Sequence, residues 1–471
     1  MKKSIYPILL WLFTICASFA QAPIGDQLTK SLDSLVAPQF EGNQPGISIL
    51  IAKKGQVVYK KAFGSANIEL NTPMLPDNVF RIGSITKQFT AVAVLQLVEQ
   101  GKISLQDSVQ KFIKDLPAKG YTITIENLLT HTSGIVDFTA KDDPDPFIER
   151  RDFTPEFLFN YIKNDPLHFK PGSKYEYSNS NYLLLGYIIQ LVSGENYHQY
   201  MAEHVLKPAG LEHTLYAEEH TAVPGRVQGY THFSGAFDNC DYQTLSLGFA
   251  CGDLLSNTGD LLKWNQAVIA GKLISEASLK KAFSPYKLTN GTYSSYGYGW
   301  FIDTTYGSPC IHHEGQTSGF ISLEKYFPKE DIYVAIMTNV KTSDDKTDFS
   351  DNRFRLFDEI GQLAMGKELM KEVKLDDQML KNYTGTYELD SLPAKKPGKD
   401  RLFIRLEGGK LYATLSNGTG KNMYLSPQSA TLFLLPDVKR IKTTIEFIIT
   451  DGHVTGLYWT QEQKIKINKV Q

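Results

Sequence analysis

Two stretches of this chain are apolar on nearly every side. One runs on from Ser84-Ile85-Thr86-Lys87 through Ala91, Val92, Val94, Leu95, Leu97 and Val98 and stops at Gly101. The other covers residues 182–192 and stops at Gly194. Apolar density over that length predicts buried helices, each closed by a glycine. Further helices are expected at 105–112, at 155–163 with Thr154 as N-cap, at 197–206, and at 261–270 behind Asn257-Thr258-Gly259-Asp260. An amphipathic helix is expected at 354–364.

Period-two alternation marks the strands. Residues 45–51 and 56–63 form a hairpin across Lys53-Lys54-Gly55, and 296–302, 311–315, 319–327 and 332–337 follow late in the chain. Strands at both ends with helices between them predict an α+β fold. Its antiparallel sheet is closed by the two ends of the chain and flanked by helices, with a helical lobe inserted. Residues 215–255 read as irregular. Residues 136–152, with Lys141-Asp142-Asp143-Pro144-Asp145-Pro146, read as an exposed insert, a solvated loop in preference to a lid.

The texture changes after residue 366. Residues 383–389 alternate, 402–406 and 410–415 pair across Gly408-Gly409, and 444–449 and 454–459 pair across Asp451-Gly452. No helix is needed beyond about residue 382, so a small all-β barrel or sandwich is expected. The division is then a main domain at 23–366, a linker at 367–374 and a β domain at 375–471. His453, beside a hairpin turn, is expected on the surface.

Composition narrows the function. The chain has 471 residues, 42% hydrophobic and 21% charged, with a formal net charge of −2 and no run of Lys or Arg. Nucleic acid is not an expected partner. At the N-terminus Lys2 and Lys3 precede an apolar run from Ile5 to about Ala20, with Ala20-Gln21-Ala22 as a cleavage site. Residues 1–22 therefore read as a secretory signal, in preference to an uncleaved anchor or a lipobox at Cys16. No later stretch is long and apolar enough to span a bilayer, so an exported protein, periplasmic or secreted, is expected. Cys240, Cys251 and Cys310 remain after cleavage. Cys240 and Cys251 could close a loop, but three free thiols are preferred. No Cys-x-x-Cys or His-Glu-x-x-His occurs, so neither metal nor cofactor is expected.

The chemistry sits at three separated places. Ser84-x-x-Lys87 starts the first apolar helix, so that hydroxyl and amine share one helix face. Burial can lower a lysine pKa until the amine accepts a proton. Tyr177-Ser178-Asn179 leads into the second apolar helix. His313-Glu314-Gly315 lies on a predicted strand, followed by Gln316-Thr317-Ser318-Gly319-Phe320. In order and separation these motifs resemble those of the serine β-lactamase and penicillin-binding family, especially its class C, DD-peptidase and esterase branch. Residues 125–134, Pro171-Gly172 and Asp260-Leu261-Leu262-Lys263-Trp264 add to the likeness, which covers about residues 28–365.

The resemblance implies a β-lactamase/transpeptidase-like fold and an exported serine hydrolase acting on a D-amino-acid peptide, a β-lactam or an ester. It implies Ser84 as the acylated nucleophile and Lys87 as the group that helps deprotonate it. Tyr177 would relay a proton and activate water, provided cations such as Lys87 lower its pKa. Asn179 would bind Lys87 and the substrate amide, and also cap its helix. The backbone N–H groups of Ser84 and Gln316 would form the oxyanion hole. Gly315 and His313 would line the substrate site. His313 stands where class C enzymes carry lysine, and Glu314 where the family has a small hydroxyl residue. Both changes weaken the hold on a substrate carboxylate and put penicillin turnover in doubt. His312 and His131 are expected to be structural. The competing reading is a non-catalytic sensor or binding module that keeps the fold.

Overall fold

In the strand Ile47–Lys53 (β1), Ile47, Ile49 and Ile51 enter one apolar core, while Leu50 and Ala52 enter another. This alternation is the pleat at work, and it makes β1 a central strand covered on both faces. The computed structural model describes residues 24–117, 119–141, 150–216, 220–342, 348–369, 372–389, 400–416, 423–435, 443–460 and 464–470. The expected signal segment with Cys16, and residues 142–149 of the expected insert, lie outside them.

Beside β1 lies Gln56–Phe63 (β2). The rest of the sheet comes from Phe301–Thr305 (β3), Ser308–Thr317 (β4), Phe320–Phe327 (β5) and Ile332–Thr338 (β6), in the order β3-β4-β5-β6-β1-β2. All neighbours are antiparallel, and Ile47 opposite Thr338 joins the early strand to the late ones. The two ends of the domain thus close its sheet, as expected. One face is covered by Ile24–Val36 (α1) and a late helix, Asp348–Ala364, through Leu32, Val36, Leu356, Phe357 and Ile360.

The other face carries the helical lobe. Thr86–Glu99 (α2) is buried from Thr86 to Leu95, polar residues included. A helix buried all round belongs at the centre of a large core. Around it stand Ile125–Leu129 (α3), Pro155–Ile162 (α4), Asn179–Ser193 (α5), Tyr197–Met201 (α6), Leu245–Gly252 (α7) and Thr258–Ile269 (α8). Thr154 caps α4 by accepting from the Phe157 N–H, and Asn257 caps α8 by accepting from that of Asp260.

Four local expectations fail. Residues 105–112 make only a 3₁₀ turn at Val109–Lys111, because the segment is tied to the chain before α3 by Val109 N–H to Ile123 O and Ile125 N–H to Asp107 O. Residues 296–300 are not strand. Gly299 has φ +92° there, and β3 starts at Phe301. Residues 215–255 are more ordered than expected, holding a hairpin of Tyr230–Phe233 with Ala236–Asn239 and then α7. The start of the insert is no solvated loop, since Phe138 is buried and its N–H bonds to Ser180 Oγ at 2.9 Å.

Beyond the late helix, which we number α9, Asp377–Tyr383 (α10) leads into eight strands from Gly385–Leu389 to Lys464–Lys469. They form a closed barrel, sealed where Tyr387 opposes Lys469. Closure leaves no free edge to pair with another chain. Tyr387, Leu402, Ile404, Phe433, Ile445 and Phe447 are among its core residues, with Leu380 and Tyr383 of α10 joined to them. His453 is exposed, as expected.

Ile49 is fully buried between the sheet and α1 with α9. Ile49→Ala should therefore cost about 2–5 kcal/mol of folding free energy. The measurement is the urea midpoint, and an unchanged midpoint would count against this core.

Candidate active site

Ser84 lies on a 3₁₀ turn, Gly83–Ile85, that feeds directly into α2. Lys87 is one turn on, and its Nζ is 3.0 Å from Ser84 Oγ. The lysine is fully buried. Its amine also donates to Asn179 Oδ1 and to the Cys251 carbonyl, both at 2.8 Å. Burial lowers the Lys87 pKa to about 8, against opposing contributions from Cys251 and Asp137. The three partners fit a neutral amine well. An amide oxygen and a carbonyl can only accept, so the two N–H bonds go to them. The lone pair is left for the serine hydroxyl.

Two glycines let the sheet reach this turn. A Cβ on Gly315 of β4 would overlap the Ile82 carbonyl oxygen, and one on Gly83 (φ +53°) would lie 2.7 Å from Gln316 N. Ser322 Oγ, opposite Gly315, donates to the same Ile82 carbonyl at 2.7 Å. The backbone N of Gln316 thus sits against the nucleophile turn. β3 pairs with β4 only as far as His312, which leaves that edge of β4 beside the turn without a β3 partner.

Tyr177 is brought to the same place. Its ring lies 4.9 Å below Lys87 Nζ and stacks on Phe301 at 6.4 Å. The Oη is shielded from solvent and makes no hydrogen bond among the described residues. Burial pushes the Tyr177 pKa well up; the nearby Ser84 hydroxyl opposes this, while Cys251, Asp137 and Glu314 add to it. Burial dominates, so the expected lowering by cations such as Lys87 does not occur. Tyr177 is held as a neutral phenol, suited to giving a proton rather than to acting as a phenolate base.

Asn179 does not cap its helix; Ser178 holds the N-cap position and Asn179 is the first helical residue. The Asn179 amide is directed at the site instead, its Nδ2 donating to Asp137 Oδ2 and Thr139 Oγ1, each at 3.1 Å. His313 is buried, with Nδ1 2.6 Å from the Glu314 carbonyl and Nε2 3.0 Å from Tyr296 Oη. A carbonyl only accepts, so Nδ1 carries the proton. With both nitrogens so placed, His313 orients Tyr296 and the strand.

His131 (φ +55°) accepts at Nδ1 from Ser178 N–H at 3.2 Å and Asn181 Nδ2 at 3.1 Å, and its ring lies 4.3 Å from that of Tyr177. Burial first, then Lys87 and His313, lowers its pKa well below the usual histidine value, so it stays neutral and structural. His312 is structural too, paired with Asp303 at 2.8 Å. Cys240, Cys251 and Cys310 are free thiols.

Four contributors escaped sequence reading. The Cys251 carbonyl is backbone and leaves no sequence signal. Asp137 stood in a segment read as solvent-exposed. Tyr296 was taken for an ordinary strand residue. Glu324, fully buried on β5 opposite His313, accepts from Gln88 Nε2 and from Tyr333 Oη at 2.7 Å. Burial raises its pKa to about 7. Gln88 follows Lys87 directly and also accepts from Trp264 Nε1 at 2.9 Å. The network anchors the lysine turn to the sheet.

The family model described as Beta-lactamase matches residues 31–356, and one described as a domain of unknown function (DUF3471) matches residues 369–470. The chain is 33% identical over 294 residues to the putative penicillin-binding protein PbpX of Bacillus subtilis (strain 168), across 62% of this chain and 70% of that one. The octameric penicillin-binding protein homologue from Pyrococcus abyssi superposes with a TM-score of 0.62 at 27% identity, over 94% of this chain and 99% of that one. A D-stereospecific amidohydrolase from Streptomyces sp. does so with a TM-score of 0.57 at 25% identity, over 68% and 95%.

Gly315→Ala places a methyl group against the Ile82 carbonyl. It should lower kcat at least about 100-fold, as expected when reacting groups shift by about an ångström. The check is steady-state turnover on protein whose circular dichroism matches the parent; unchanged kcat would refute the close approach.

Proposed function

This chain belongs to the Beta-lactamase family, and from that premise we propose that it is an exported serine hydrolase working through an acyl-Ser84 intermediate. The observation that carries the reading is the 3.0 Å contact between Ser84 Oγ and a fully buried Lys87 whose other two partners can only accept. Neutral Lys87 takes the Ser84 proton as Oγ attacks the substrate carbonyl carbon. The resulting oxyanion meets the N–H groups of Ser84 and Gln316. The Lys87 ammonium then returns a proton to the leaving amine or alcohol, with the Tyr177 phenol as relay, and the C–N or C–O bond breaks. Water repeats the sequence on the acyl-enzyme and releases an acid.

The substrate is an amide or ester that is neutral or cationic near the scissile bond. Asp137 and Glu314 put negative charge around the cleft that is felt at Tyr177, and no lysine stands at the position of His313. D-Aminoacyl amides and short esters fit this better than peptides or penicillins that present a carboxylate. The likeness to a D-stereospecific amidohydrolase supports the amide class. Export rests on the basic and apolar pattern of residues 1–22. Among the described residues no helix is long and apolar enough to cross a membrane.

A fluorophosphonate probe should label the protein covalently, and Ser84→Ala should abolish labelling and lower kcat by several orders of magnitude. Labelling that survives the substitution would refute the nucleophile. Because no phenolate base is ready to activate water, a β-lactam adduct that forms and is never hydrolysed would favour the sensor reading over turnover.

The pH profile tests the base. At pH 7 about a tenth of Lys87 is neutral and at pH 8 about half, given its pKa of about 8. Since the neutral amine is the active form, kcat/KM should rise with pH and level off above about 8. A profile that falls across that window would exclude Lys87 as general base.

A further inference from the structure

The partner that holds Lys87 from behind is a backbone carbonyl, and its own placement is unusual. α7 is broken at Phe249, which has φ +35° and ψ −129°. A large residue in that region is strained and persists only where its surroundings over-determine it. The Phe249 ring is buried, 4.8 Å from the ring of Tyr197. Just beyond, Thr90 Oγ1 donates to the Ala250 carbonyl at 2.7 Å, and Lys87 Nζ donates to that of Cys251 at 2.8 Å. Three residues later Leu254 N–H reaches Thr86 Oγ1 at 3.2 Å. The turn is thus stitched to α2 at three points around the lysine.

What lets it come so near is Gly186 on α5. A Cβ there would overlap that of Ala250 and lie 2.8 Å from Phe249 Cε1. A methyl group would push the turn away from α5.

We propose that Gly186 and the left-handed kink at Phe249 are positioning residues that aim the Cys251 carbonyl at Lys87 and so set how readily the lysine gives up its proton. Neither touches the reacting atoms. The carbonyl stabilises the ammonium form by accepting from it, and it fixes the rotation of the neutral amine so that the lone pair meets Ser84. The other titratable or charged groups around the amine are Asp137 before α4, Tyr177 ahead of α5, Tyr182 on α5, the Cys251 thiol on α7 and His131 after α3. Of these the Cys251 thiol moves with the turn, but burial pushes it up to about 12 and leaves it uncharged at neutral pH, so a substitution there acts on the amine through the carbonyl.

The inference rests on Lys87 as the base, and the experiment separates the two. kcat, KM and the pH midpoint of kcat/KM are measured for the parent, Gly186→Ala, and Gly186→Ala with Ala250→Gly, on an ester substrate, with folding followed by circular dichroism. Loss of the acceptor removes stabilisation of the ammonium. Gly186→Ala should therefore move the midpoint down by about half a pH unit or more and lower kcat about tenfold, with KM changed less than about twofold. Ala250→Gly relieves the Cβ overlap and should recover part of both. An unchanged midpoint in folded Gly186→Ala would overturn the inference while leaving Lys87 as base. A parent without any midpoint near 8 would instead remove the base itself. Should Gly186→Ala not fold, Phe249→Gly decides. Glycine accepts the kink but drops the ring anchor, so the midpoint should move, and a fixed midpoint would overturn the inference.

Discussion

An amine taken out of water and left beside a serine is the constraint on which this structure turns. Lys87 has no carboxylate in hydrogen-bond contact among the described residues; its partners are a hydroxyl, an amide oxygen and a carbonyl. Burying an ammonium with only neutral acceptors penalises its charged form, which is why its pKa falls. The same set satisfies a neutral amine completely. The cost of desolvation thus leaves part of the amine neutral, and so able to accept a proton, beside the Ser84 hydroxyl.

Holding that amine requires both halves of the domain. Ser84 lies on the 3₁₀ turn before α2 and Lys87 on α2 in the helical lobe, whereas Gln316 N lies on β4 in the sheet. Gly83 and Gly315 remove the side chains that would keep the two apart. Ser322 then ties the Ile82 carbonyl from the sheet side, and the Glu324–Gln88 bond ties α2 one residue past the lysine. Lateral support comes from α5, which carries Asn179 at its start and Gly186 in its middle. The helix that supplies a polar contact to Lys87 therefore also sets the position of its carbonyl contact.

Charge in the cleft departs from that of an enzyme built to grip carboxylates. His313 spends its nitrogens on Tyr296 and on the Glu314 carbonyl, while Asp137 holds the Asn179 amide. Asp137 and Glu314 add negative charge that is felt at Tyr177. Tyr177, kept neutral by burial, complements this as a proton donor. On the proposed reading, lysine as base and phenol as acid give the two opposed protonation behaviours that acyl transfer needs.

The chain's order of residues was enough to locate α2, α5, the closing sheet and the β-rich C-terminal domain, because helix and strand periods and glycine stops are local signals. It was also enough to single out Ser84, Lys87, Tyr177, Asn179 and His313, since their motifs are short and widely separated. Only the folded chain decided how they act. That Tyr177 stays a phenol depends on its burial among distant segments. That His313 is an anchor depends on Tyr296, seventeen residues away in sequence and on an irregular segment. Asp137, Glu324 and the Cys251 carbonyl could not be read in advance. Burial, hydrogen-bond direction and backbone approach are properties of contacts between distant segments, and a sequence lists residues, not distances.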